Sequence, residues 1–143
     1  MVRIEPSSKL NGKPVPTEDL SKILSAQRRD FDQHPYPNWT ERKASIEKLR
    51  AAIFAKEDLF IQTISEDFGH RAAEETMIAE LLVLKGGFSH ALKHTSKWMK
   101  ARRAPTALPY WPAKNRIISQ PPGLVGLISP WNYTLQLAVM PLI

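Results

Sequence analysis

The apolar positions Leu20, Ile23, Leu24 and Phe31 recur at spacings of three, four and seven, which is one stripe of an amphipathic helix. That helix is predicted to open at Thr17, a residue type able to cap it, and to stop before Pro35 and Pro37. Thr40 is the next cap in the pattern, followed by Ile46, Leu49, Ile53 and Phe54 on one face and charged residues elsewhere. Leu59, Phe60, Ile61, Ile64 and Phe68 continue the helical period as far as Gly69, which suits a left-handed stop. A third helical stretch, from about Ala72 to Ala101, carries Met77, Ile78, Leu81, Leu82, Leu84, Phe88, Leu92 and Trp98. Gly86-Gly87 in its middle predicts a kink or break, at roughly 1 kcal/mol per glycine relative to alanine.

After Arg103 the texture changes. Pro105, Pro109 and Pro112, with Tyr110 and Trp111, predict an extended or irregular crossing, and Arg116–Gln120 a short strand. Pro121-Pro122-Gly123 has the chemistry of a type II turn, with glycine at the position that needs a positive φ. Leu124-Val125-Gly126-Leu127-Ile128 is apolar on both faces of any strand it forms, the pattern of a strand buried between layers of an α/β sheet. Ser129-Pro130 closes it, and a helix is expected from Trp131 through Leu135, Leu137, Ala138, Val139 and Met140. The sequence then stops at Ile143 with no partner for that strand, and an unpaired buried ladder costs about 1 to 3 kcal/mol per orphaned group. The expectation is an unfinished α/β fold. Residues 1–16, with Pro6, Gly12, Pro14 and Pro16 and few apolar positions, are expected to be an extended or disordered arm.

Composition narrows the chemistry. Among 143 residues there is no cysteine, which excludes a thiolate nucleophile, a Cys-ligated zinc and a disulfide framework within these residues. Charge is divided unevenly. From residue 81 to 143 there are 8 Lys and Arg and no Asp or Glu, so that segment carries +8 of a net +6 and the first 80 residues carry −2. The tract Lys93, His94, Lys97, Lys100, Arg102 and Arg103 around Trp98 fits either a solvated helix face or a surface for nucleic acid or anionic lipid. The uncharged run Ile117–Ile143 is long enough to raise a membrane span, but Pro121, Pro122, Pro130 and Pro141 break it, so none is expected. Met1–Pro6 has no apolar run after its basic start, so no secretory signal is expected and the default compartment is the cytoplasm. There is no internal repeat, no GxGxxG and no P-loop.

Several residues carry two readings. Asn132 is by residue type a helix N-cap, and Trp131 a core aromatic. His90 and His94 are spaced to share a metal, but no acidic residue follows Glu80 to complete the set, so no metal is expected. Glu74, Glu75 and Glu80 read as a solvated helix face favoured by the macrodipole, and not as an acid/base pair. His70 reads as a polar loop residue.

The most specific segment is Pro122-Gly123-Leu124-Val125-Gly126-Leu127-Ile128-Ser129-Pro130-Trp131-Asn132-Tyr133. It resembles the aldehyde dehydrogenase superfamily, whose members carry a glycine turn, a hydrophobic strand and then Pro-Trp-Asn. Asp67-Phe68-Gly69-His70-Arg71, Glu75-Thr76, Glu80, Trp98-Met99-Lys100 and Arg102-Arg103-Ala104-Pro105-Thr106 extend the likeness to the coniferyl-aldehyde-dehydrogenase-type branch, near class 3, over about residues 20 to 143.

The resemblance implies an α/β, Rossmann-like fold of which these residues are the N-terminal part. Helices over 17–103 go with the cofactor domain, a strand region over 105–120 contributes to an oligomerisation arm, and the NAD(P)-binding sheet starts over 121–143. In that family a cysteine attacks the aldehyde, hydride passes to NAD(P)+, and a glutamate activates water to release the acid. Carried over by motif, Asn132 is the amide that holds the oxyanion, while Ser129, Pro130 and Trp131 line the cofactor cleft. The substrate is an aldehyde, aromatic ones included, the cofactor NAD or NADP, and the full-length protein a homodimer without nucleic acid or a membrane span. Thr134 departs from the proline usual after Trp-Asn-aromatic, and the cysteine and the catalytic glutamate lie beyond these residues, so the 143 residues alone are expected to be inactive. The competing reading is a small basic helical module that binds nucleic acid or an anionic membrane surface.

Overall fold

Residues 9–10, 13–14 and 17–143 are described in the computed structural model, with side chains from residue 20 onward. The chain divides into two compact units, one of residues 1–36 with 121–125, the other of residues 37–120 with 126–143.

In the first unit, β1 (Lys9–Leu10) pairs antiparallel with β2 (Lys13–Pro14), Lys9 opposite Pro14 and Leu10 opposite Lys13. The rest of the arm expected over residues 1–16 lies outside the described residues. Helix α1 (Thr17–Gln33) has the bounds its apolar stripe predicts, although the capping expected of Thr17 concerns a side chain outside the described ones. Gly123 has φ +88, the left-handed value that the third position of a type II turn requires. An added Cβ there would stand 3.5 Å from the Phe31 ring.

The second unit is a helical layer around one apolar cluster. Helix α2 (Trp39–Phe54) is opened by Asn38, and not by Thr40 as the sequence pattern indicated. Asn38 Oδ1 accepts from Glu41 N at 3.1 Å, and Glu41 Oε2 accepts from Asn38 N at 2.7 Å, a reciprocal box that satisfies two otherwise unpaired donors. Thr40 lies a residue inside the helix, with that work already done. Helix α3 (Glu57–Asp67) ends where Gly69 and His70 take φ of 70° and 71°, and His70 N donates to Ser65 O at 2.7 Å. Gly69 thus makes the expected stop.

From residue 73 to 98 the chain is helical without a break: α4 (Ala73–Thr76), a π-helical segment (Met77–Leu82) and α5 (Val83–Trp98). Of the kink or break expected at Gly86-Gly87, the break does not occur, and the departure from regular α-helix lies instead in the wider i→i+5 turns of Met77–Leu82. Gly87 has a packing reason. A Cβ there would lie 2.6 Å from Met140 Sδ and 2.9 Å from Met140 Cε, so the bare backbone makes room for the thioether. Gly86 meets nothing within 4 Å. Gly86→Ala is therefore expected to stabilise the protein by about 1 kcal/mol through helix propensity, and Gly87→Ala to give less because Met140 must move aside. Urea-unfolding midpoints check this, and equal gains at both positions would remove the packing role of Gly87.

The core joins Ile46 of α2, Ile64 of α3, Leu81, Leu84 and Phe88 of the long helical run, and Leu135 and Val139 of α6 (Thr134–Val139). Phe54 meets Phe88 edge-on with ring centroids 6.0 Å apart. Full burial of each such side chain contributes about 1.5 to 3 kcal/mol.

Two strands follow α5. β3 (Arg102–Ala104) pairs antiparallel with β4 (Asn115–Ile117), Arg103 opposite Arg116. Residues 102–103, assigned by sequence to the helical part, are thus strand, since α5 ends at Trp98. The expected strand over 124–128 does not form, nor does a parallel sheet among the described residues. Its physical reason is pairing. A strand apolar on both faces is stable only between neighbours, and here Ile128 remains 98% exposed. The described residues are accordingly mostly helical, with two short antiparallel pairs.

Candidate functional site

The segment from Ser129 to Gln136 contains the residues singled out by sequence. It is irregular up to Tyr133, the N-cap of α6, whose side chain makes no capping bond. Three groups hold this segment. Ser129 Oγ donates to Thr134 O at 2.8 Å, Arg71 Nη1 donates to Asn132 O at 3.1 Å, and Glu80 Oε2 accepts from Leu135 N at 2.8 Å and Gln136 N at 3.0 Å. Arg71 Nη1 also donates to Glu80 Oε1 at 3.0 Å, so both oxygens of one carboxylate are engaged.

Glu80 is 0% exposed, which overturns its expected place on a solvated helix face. Glu74 and Glu75 are exposed as that reading requires, and Glu75 Oε1 lies 3.2 Å from Arg71 Nε. The difference lies in the helix. Glu80 lies one and two turns before Leu84 and Phe88, both 0% exposed, and so shares their inward stripe. A buried carboxylate is tolerated only when paired and hydrogen-bonded, and here one guanidinium and two backbone N–H groups meet that condition.

Arg71 sits at the exit of the left-handed turn at Gly69-His70, with its side chain 6% exposed. Its guanidinium carbon lies 5.8 Å from the Phe68 ring centroid and 5.2 Å from that of Tyr133, cation–π contacts on two rings. Phe68 in turn meets Trp131 with centroids 5.5 Å apart. Arg71 therefore joins the α3 exit to the Pro130-Trp131-Asn132 block. Its Nη2 is buried without a hydrogen-bond partner among the described residues.

Asn132 is exposed, and among the described residues no hydrogen bond engages its carboxamide. It does not cap α6. Glu80 takes the first free N–H groups of that helix instead, which leaves the amide of Asn132 uncommitted. Pro130 and Trp131 are exposed, Trp131 by 71%, whereas the Ser129 hydroxyl is spent on the loop backbone. The sequence indicated Ser129, Pro130, Trp131 and Asn132, and missed Glu80 and Arg71. The signal that finds Glu80 is an acid on an apolar stripe.

His90, His94 and Trp98 form a ladder of rings on α5, with His90 and His94 centroids 4.4 Å apart. Desolvation in that ladder, then His90, Lys93 and Lys97, hold the His94 imidazole below its ordinary value. Among the described residues no group of three or more His, Cys, Asp or Glu is placed to hold a metal ion. Among them, too, no helix is long and apolar enough to cross a membrane.

The chain is 37% identical over 123 residues to a probable coniferyl aldehyde dehydrogenase of Pseudomonas aeruginosa, a match that covers 86% of the chain and 26% of that protein. It is also 37% identical over 126 residues to a probable coniferyl aldehyde dehydrogenase of Caulobacter vibrioides, again 86% of the chain and 26% of the relative. A coniferyl aldehyde dehydrogenase of a Pseudomonas species is 29% identical over 133 residues, 93% of the chain and 27% of that protein. The chain thus spans about a quarter of the length of the curated relatives it matches. The model of the aldehyde dehydrogenase family matches residues 12–143, through both the Arg71 turn and the Pro-Trp-Asn block, and this chain belongs to that family.

Proposed function

We propose that this chain acts as part of an NAD(P)-dependent aldehyde dehydrogenase that oxidises an aldehyde, coniferyl-type aromatic aldehydes included, to the carboxylic acid. The observation that carries the reading is the exposed, uncommitted carboxamide of Asn132 at the end of a loop held on both sides. An amide N–H aimed at developing negative charge stabilises it without proton transfer. In this reading Asn132 donates to the oxyanion formed when a thiolate adds to the aldehyde carbon, and steadies the same oxygen until the carbonyl reforms. The sequence has no cysteine, so that thiolate comes from residues outside these 143, as does the glutamate that activates water.

The exposed Pro130 and Trp131 fit a cofactor cleft, since they offer apolar surface beside Asn132. NAD(P)+ supplies the hydride acceptor when bound. Ser129 contributes through the shape of the loop, since its hydroxyl already holds Thr134 O. The exposed β3–β4 pair belongs to the dimer arm in this reading.

The test is aldehyde-dependent NAD(P)H formation. A full-length aldehyde dehydrogenase that carries these residues is expected to turn over aromatic aldehydes, and the 143-residue polypeptide alone to give none. Turnover by the short polypeptide would overturn the proposal.

A further inference from the structure

The segment around Asn132 has little of its own to hold it. Helix α6 has 6 residues, and isolated helices under about 12 to 15 residues are marginal. Tyr133 at its N-cap makes no side-chain capping bond. The free N–H groups of Leu135 and Gln136 instead reach a carboxylate 55 and 56 residues earlier in the chain. On the other side of Asn132, its carbonyl accepts from Arg71, which is bound to that same carboxylate. One buried acid thus fixes the backbone three and four residues after the amide by itself, and the backbone of the amide residue through one guanidinium. Glu80 also lies within Met77–Leu82, the π-helical segment of the long helical run, and such wider turns re-aim a side chain relative to a regular helix.

We infer that Glu80, acting through Arg71 and the N-terminus of α6, is the positioning residue that sets the direction of the Asn132 carboxamide. This rests on the reading of Asn132 as the oxyanion donor. Glu80 touches no reacting atom in it. Its contribution is geometric, and a donor displaced by about 1 Å can cost about 10²-fold in rate.

The experiment is a mutant cycle in a full-length aldehyde dehydrogenase that carries these residues, with kcat, KM for aldehyde and Kd for NAD+ measured for Asn132→Ala, Glu80→Gln and the double variant. Glu80→Gln keeps the size of the side chain but turns an amide N–H toward either Arg71 or the α6 donors. It is expected to lower kcat by about 10- to 10²-fold, with cofactor Kd unchanged within about twofold. In the Asn132→Ala background the same change is expected to cost almost nothing further, because the group it positions is gone. Multiplicative losses, or an unchanged kcat in Glu80→Gln, overturn the inference while leaving Asn132 in its role. An unchanged kcat in Asn132→Ala removes Asn132 itself and the inference with it. If Glu80→Gln gives no soluble enzyme, Arg71→Lys, which leaves both backbone bonds to Glu80 in place, runs the same cycle, and multiplicative losses there overturn the inference equally.

Discussion

With Asn132 as the proposed oxyanion donor, Asn132→Ala in a full-length aldehyde dehydrogenase that carries these residues is expected to lower kcat by about 10²- to 10³-fold, roughly 2.7 to 4 kcal/mol of barrier, with little change in cofactor affinity. The size follows from where the donor acts. A carbonyl oxygen in the ground state is a weak acceptor, whereas the oxyanion is a strong one, so the lost bond weighs on the transition state far more than on the bound aldehyde. The loss should therefore fall on kcat and leave KM nearly constant. Stability should barely change, because the side chain is exposed and the bond to Arg71 comes from the Asn132 backbone carbonyl, which alanine retains. Steady-state kinetics with an aromatic aldehyde, together with NAD+ titration, check the result. A rise in KM at constant kcat would mean that Asn132 only binds substrate.

Much of this arrangement is legible from residue order, and the parts that are not share a cause. Helix α1 and the stop at Gly69 follow from local rules, a stripe of apolar spacing and a residue tolerant of positive φ, and both hold. The cap of α2 is also local, yet the pattern points to Thr40 alone, and Asn38, two residues earlier, is of a type equally able to cap. Only the reciprocal bonds with Glu41 distinguish them. Gly86-Gly87 shows the limit of propensity. Two glycines weaken a helix in isolation, but α5 is fixed by Leu84 and Phe88 in the core, and one of the glycines faces Met140. The strand expected over 124–128 fails for the opposite reason, since its apolar pattern is a demand for neighbours that these residues do not contain.

The site divides along the same line. The Pro-Trp-Asn block lies in consecutive residues and was legible as a motif. The clamp that holds it spans Arg71, Glu80 and residues 129–136, and only the fold brings these together. Glu74, Glu75 and Glu80 lie on one predicted helix and group by charge into one acidic face. The register of Glu80 with Leu84 and Phe88 places it on the opposite, apolar stripe, and burial follows the register.

Arg71→Met is expected to destabilise the protein by about 3 to 5 kcal/mol, the range for breaking a buried pair and leaving one charge uncompensated. Glu80 would stay buried with only the N–H groups of Leu135 and Gln136, and the carbonyl of Asn132 would lose its donor. The double variant Arg71→Met with Glu80→Leu separates two accounts of this cost. If the pair were an ion pair and nothing more, two apolar residues of similar size would restore stability, since buried pairs are often replaced at no loss. Here the carboxylate also terminates a helix, so leucine would orphan two backbone donors at about 1 to 3 kcal/mol each. The double variant is therefore expected to remain well below the parent in urea-unfolding midpoint. Full recovery would mean that the α6 N–H groups find other acceptors, and that Glu80 matters to the fold only as the counter-ion of Arg71. Persistent loss, with the slope of the unfolding curve unchanged, identifies the carboxylate as the cap that the sequence of α6 itself does not provide.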